Sequence, residues 1–98
     1  MSLSTNQLKT LRGLAHSLKP VVMVGQNGLK ETIFEELETA LDFHELIKVK
    51  IAADREEREE IAAQILSRSQ AEKVQSIGMM LVLFRRNSKN PKVVIPSR

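Results

Sequence analysis

The chain has 98 residues, 42% of them hydrophobic and 28% charged, and a formal net charge of +3. That length supports one hydrophobic core, so residues 1–98 are read as a single domain. Without cysteine, a disulfide frame, a zinc ribbon and a thiol nucleophile are excluded. No apolar run approaches the roughly 18 residues of a membrane span. The N-terminus lacks the apolar centre of a signal peptide, so a cytoplasmic protein with no membrane partner is expected.

Ser4 to Leu18 reads as a helix. Ser4 followed by Gln7 is a capping box, and Leu8, Leu11, Leu14, Ala15 and Leu18 form an apolar stripe. Lys9, Arg12, His16 and Lys19 recur on another stripe of the same helix. Pro20 closes it, and Val21–Val24, short and β-branched, reads as a buried strand. From Leu29 to about Phe43 the period is helical again. Ile33, Phe34, Leu37, Ala40 and Leu41 lie on one side, and five acids lie on the other.

Leu46–Ala52 alternates: Ile47, Val49 and Ile51 share one face, Lys48 and Lys50 the other. Asp54 with Glu57 caps a third helix running to about Ser69. Met79–Arg85 has little polar alternation and reads as a central strand covered on both faces. Asn87–Asn90 is a turn, and Lys92–Pro96 reads as a final strand paired back antiparallel. Strands separated by helices are expected to run parallel. The expected architecture is α/β in the order α-β-α-β-α-β-β, with a mixed four-stranded sheet and three helices.

Charge is segregated along this order. Residues 1–30 hold four bases and no acid, and residues 31–45 hold six acids and no base. One basic and one acidic face would follow if the elements pack accordingly.

Gly25-Gln26-Asn27-Gly28 ends the first strand. Asn-Gly is a hairpin signal, but the helical period after Gly28 makes this a strand-to-helix turn. It matches neither G-x-G-x-x-G nor G-x-x-x-x-G-K-[ST]. Two readings remain. In one, the glycines only supply positive φ. In the other, they let a phosphate backbone approach main-chain N–H groups at the start of the next helix. Lys19 and Lys30 flank the loop. Lys48, Lys50 and the cluster Arg85, Arg86, Lys89 and Lys92 are candidates to extend a basic surface.

Other chemistry is not visible. His16 and His44 lack metal-ligand spacing, and the acids lie on amphipathic helices. No nucleophile–base pair is readable, so no enzyme, cofactor or small-molecule substrate is expected. With three phenylalanines and no tyrosine or tryptophan, an aromatic stacking sheet is not expected either.

Three stretches, LRGLAHSLKPVVMVGQNGL, ELIKVKI and VQSIGMMLVLFR, resemble in order and spacing the CRM domain (chloroplast RNA splicing and ribosome maturation). The likeness is to its stand-alone bacterial YhbY-like form and runs from about Leu8 to Pro96. It implies a fold similar to the C-terminal domain of a bacterial translation initiation factor. It further implies a monomeric RNA-binding protein that associates with large-subunit rRNA in pre-ribosomal particles and assists their assembly. The family's G-x-x-G loop would map to Gly25, Gln26, Asn27 and Gly28. Its basic surface would map to Lys9, Arg12, His16, Lys19, Lys30, Lys48, Lys50 and Arg85. Gln26 stands where many members carry a base or glycine, and Phe84 where many carry tyrosine. A module binding a basic protein through the acidic helices is the alternative.

Overall fold

Helix α1 (Thr5–Ala15) begins as its sequence dictates. The Ser4 hydroxyl accepts from the Gln7 N–H at 3.1 Å, and the Ser4 N–H donates to the Gln7 carboxamide at 2.9 Å. The computed structural model describes residues 2–98. The helix ends three residues before Leu18, which closes a final turn by donating to the Ala15 carbonyl at 3.0 Å. Lys19, preceding Pro20, is biased away from helical backbone.

Strand β1 (Val22–Val24), helix α2 (Glu31–His44), strand β2 (Leu46–Ile51) and helix α3 (Arg55–Ser69) follow within a residue or two of expectation. The Asp54 carboxylate caps α3 by accepting from the Glu57 N–H at 2.9 Å. The chain then forms β3 (Glu72–Ile77) and β4 (Met80–Phe84). The architecture is the expected one: three helices and a mixed four-stranded sheet, in the order β1-β2-β4-β3.

The last pair of strands is not the expected pair. Gly78 and Met79 turn a tight hairpin, with positive φ at Gly78 alone, as a type II′ turn requires. Val74–Ile77, which lies ahead of the expected strand, is therefore part of a strand of its own. The hairpin reverses β4, so β4 pairs antiparallel with β2 rather than parallel. Both edges of β4 are then occupied, by β2 and β3. Lys92–Pro96 therefore has no edge of β4 to pair with and is irregular chain, not a strand.

Strand parity sorts the core into two layers. Val22, Val24, Ile47, Val49, Ile51, Leu81 and Leu83 meet Leu37 and Leu41 of α2 and Ile65 of α3. On the opposite face Leu46, Val82, Phe84 and Val74 meet Leu11 and Ala15 of α1. Leu3, Leu8, Val93 and Ile95 pack around this second cluster, so the C-terminal segment braces α1. Each buried leucine- or valine-sized side chain contributes on the order of 1.5–3 kcal/mol.

Candidate nucleic-acid interface

β1 and β2 are parallel and β4 runs against them, so three connections meet at one pole of the sheet. They are the Gly25–Gly28 loop, the β2–α3 link and the Gly78–Met79 turn. Two bonds tie them together: Ala52 N–H to the Val24 carbonyl at 2.9 Å, and Ile51 N–H to the Met79 carbonyl at 2.7 Å.

The loop is a four-residue turn closed by the Gly28 N–H donating to the Gly25 carbonyl at 3.0 Å. Gly28 has φ +71°, so it meets a backbone need. Gly25 does not: its φ is not positive, and a Cβ there would touch nothing within 4 Å. The fold itself gives no reason for Gly25. The N–H groups of Gln26, Asn27, Leu29 and Lys30 have no acceptor among the described residues. Lys30 caps α2 in extended backbone without a side-chain cap bond, leaving the start of that helix open.

Lys48 and Lys50 settle on the α1 face. Lys48 lies opposite Val82, which contacts the α1 cluster, and Lys50 lies opposite Met80 and Met23. α1 covers only the half of this face remote from the loop. Its last turn, with Arg12 and His16, borders Lys48 across a shallow cleft. Arg12, His16, Lys48 and Lys50 are thus brought together on the open half-face beside the loop. Lys30 follows the loop after Leu29. Lys9 continues the α1 stripe away from it. Lys19 is exposed at the entrance to β1, one short strand from the loop. Lys9, Arg12, Lys19, Lys30, Lys48 and Lys50 have no ion-pair partner among the described residues.

Arg85 belongs elsewhere. Phe84 faces α1, so the next residue faces α2. There Arg85 pairs with Glu38 and Asp42, both at 2.8 Å, and donates to the Ser69 carbonyl at 2.9 Å. Burial pushes its pKa down, but the two carboxylates outweigh this and hold the guanidinium above its ordinary value. Arg86 pairs with Glu45, and the Lys92 ammonium sits over the Phe43 ring, at the pole opposite the loop. The Arg85, Arg86, Lys89 and Lys92 cluster therefore does not extend the basic surface around the loop.

Three other bases line one groove unannounced by the sequence pattern; Arg55 and Arg58 stand at the loop pole, at the start of α3, and Lys73 lies towards the opposite end of β3. Arg55, Arg58 and Lys73 line a groove of about 500 Å³ between α3 and the β3–β4 hairpin. Arg58 donates to the Ala53 carbonyl at 2.7 Å, and Arg55 pairs with Glu59 at 3.7 Å in full exposure. Arg55 and Arg58 were hidden inside an acidic run. Lys73 becomes placeable only once β3 is recognised.

Residues 3–85 match the CRS1 / YhbY (CRM) domain. A Haemophilus influenzae protein named "RNA-binding protein" is 50% identical over 98 residues, covering 99% of this chain and 98% of that one. A Pseudomonas aeruginosa protein named "Probable RNA-binding protein" is 44% identical, covering 94% of this chain and 89% of its own length. A solution structure of a Staphylococcus aureus protein superposes with a TM-score of 0.81 at 30% identity. That superposition covers 97% of this chain and all of the other. The chain belongs to the CRS1 / YhbY (CRM) domain family.

Proposed function

We propose that this protein binds structured RNA through its phosphate backbone, and that the RNA is large-subunit rRNA in pre-ribosomal particles, whose assembly it assists from the cytoplasm as a monomer. One observation carries the reading. Arg12, His16, Lys48 and Lys50, none of them ion-paired among the described residues, share a half-face with a loop whose main-chain N–H groups find no acceptor among those residues. In contrast, Arg68, Arg85 and Arg86 each pair with a carboxylate: Glu31, Glu38 with Asp42, and Glu45. The names of the relatives support RNA as the partner. The family resemblance supports the ribosomal assignment.

Phosphates would meet the Gly25–Gly28 amides and the open start of α2, with charge supplied by the adjacent lysines and Arg12. Gln26 adds no charge, so the loop's own contribution is main-chain hydrogen bonding. The α2 acids face away, and Glu31, Glu38 and Asp42 are engaged by arginines, which leaves a basic protein partner less well served.

A salt titration tests the clamp. With three or four phosphates held, log K against log salt should fall with a slope of about −3. A slope near zero would remove the phosphate mechanism.

Gly25 gives a cleaner loop test than Gly28. Gly25→Val should leave stability within about 0.5 kcal/mol of wild type, because the added side chain meets only open space. It should nevertheless weaken RNA binding roughly tenfold, the equivalent of about 1.4 kcal/mol. Gly28→Val confounds the two effects by straining a φ of +71°. Wild-type affinity in the Gly25 variant, measured by anisotropy, would return the loop to a purely structural role.

A further inference from the structure

The sheet face beside the loop is not only basic. Reading across the strands at the level of Lys50, register places Met23, Lys50, Met80 and Ile77 in one row. Met23 and Ile77 are 58% and 62% exposed, large values for apolar side chains on a sheet. One level back, Lys48, Val82 and Gln75 form the next row, at the edge of α1. Between this surface and the last turn of α1 lies a cleft of about 160 Å³. Its floor is Met80 and Ile77, and its walls are Arg12, His16, Lys48 and Gln75.

The lining mixes two chemistries. The floor is aliphatic and thioether, suited to the face of a planar ring. The walls carry a carboxamide and an imidazole, each able to donate and accept, and two cationic groups. Arg12 has its Nε bonded to the Val74 carbonyl at 3.2 Å, which fixes the side chain along the cleft. The volume is below the roughly 300–1,000 Å³ of pockets for drug-sized ligands and suits a single ring system.

We propose that this cleft receives one unpaired nucleobase of the bound RNA. The base packs on Met80 and Ile77, its edge meets Gln75 and His16, and its phosphates lie on Lys48, Lys50 and the Gly25–Gly28 loop. The inference rests on the RNA reading above and specifies it: the target contains a loop or bulge, because a stacked, paired base cannot enter. Binding is therefore not to backbone and shape alone, despite the lack of aromatic residues on this face.

The test uses the full chain and two fluorescein-labelled RNAs of one stem sequence. One is closed by an unpaired loop, and the other is a blunt duplex. Wild type should bind the stem-loop about tenfold more tightly, the low end for a base contact because the floor is not aromatic. Gln75→Ala with Ile77→Ser should abolish that preference and leave duplex affinity and salt slope unchanged. Thermal midpoints report folding of the variant. Met23→Ser, at the far end of the row and outside the cleft, is the control and should leave the preference at its wild-type value. Equal wild-type affinity for both RNAs, or equal weakening of both by the double variant, overturns the cleft while leaving the phosphate clamp standing. Failure of wild type to bind either RNA overturns the RNA reading, and the cleft falls with it.

Discussion

Replacing Glu45 by glutamine is expected to lower stability by roughly 3–5 kcal/mol and the thermal midpoint by at least about 12 °C. Glu45 is fully buried at the junction of α2 and β2, with φ 65° and ψ −45°. A non-glycine residue in that region carries strain of order 1–3 kcal/mol, and its carboxylate offsets it. One oxygen accepts from the N–H groups of Lys92 at 2.6 Å and Val93 at 2.9 Å and from Arg86 at 3.0 Å. The other accepts from the Asn87 N–H at 2.5 Å. Glutamine has nearly the same shape but would turn an NH₂ group toward one of these sets of donors. The segment so released is the one that places Val93 and Ile95 against α1 and lets Gln7 donate to the Pro96 carbonyl. Limited proteolysis should therefore cut between residues 87 and 96 in the variant first. An unchanged midpoint, or an equally protected C-terminal segment, would show that the carboxylate is dispensable.

The pH dependence of this effect has a definite sign. Burial pushes the Glu45 carboxyl up, but the bonds from Asn87, Lys92 and Val93 and the charge of Arg86 outweigh it. The pKa lies below its ordinary 4.5. As pH falls through about 4.5 the unfolded chain takes up this proton first. The stabilisation is therefore complete above that value and is lost as pH falls through the folded-state pKa. The gap between wild type and Glu45→Gln should accordingly shrink in acid. Urea denaturation on either side of pH 4.5 measures it.

Glu45 also shows where the sequence stops being legible. In one dimension it is the last acid of an acidic run, with nothing to mark it as buried or as the anchor of a segment more than forty residues away. Local signals fared better because their physics is local. The Ser4–Gln7 box and the Asp54 cap involve residues three apart, and both formed. The parity of Leu46–Ile51 correctly separated Lys48 and Lys50 from Ile47, Val49 and Ile51. Parity alone could not say which helix covers which face, and that decides whether those lysines are free. Arg85 was misplaced for the same reason: its neighbours in sequence are basic, but one step from Phe84 puts it under the acids of α2. The Val74–Ile77 strand was masked because its turn to β4, Gly78-Met79, is only two residues long and carries no polar turn residue. Missing it also left Lys73 unplaced and gave Lys92–Pro96 a pairing edge that β3 already holds.

Neutralising Arg12, Lys48 and Lys50 together by glutamine is expected to weaken RNA binding roughly 100-fold near 0.1 M salt. The slope of log K against log salt should become shallower by about two to three, close to one for each phosphate contact removed. The three residues sit on different elements, the last turn of α1 and two alternate positions of β2, yet the fold places them on one open half-face. None has an ion-pair partner among the described residues, so neutralising them leaves no carboxylate stranded. Arg12 loses one hydrogen bond, to the Val74 carbonyl, and stability should fall by no more than about 1 kcal/mol. Arg85→Gln is the matched control with the opposite signature. It strands Glu38 and Asp42 and the Ser69 carbonyl, so it should cost stability while leaving affinity and salt slope at wild-type values. Arg85 carries two carboxylate partners, whereas the other three carry none among the described residues, and this difference separates the two outcomes. If the triple variant kept its salt slope, the phosphates would lie on another surface. The groove that starts at the same pole with Arg55 and Arg58 and runs to Lys73 would then be the next to neutralise.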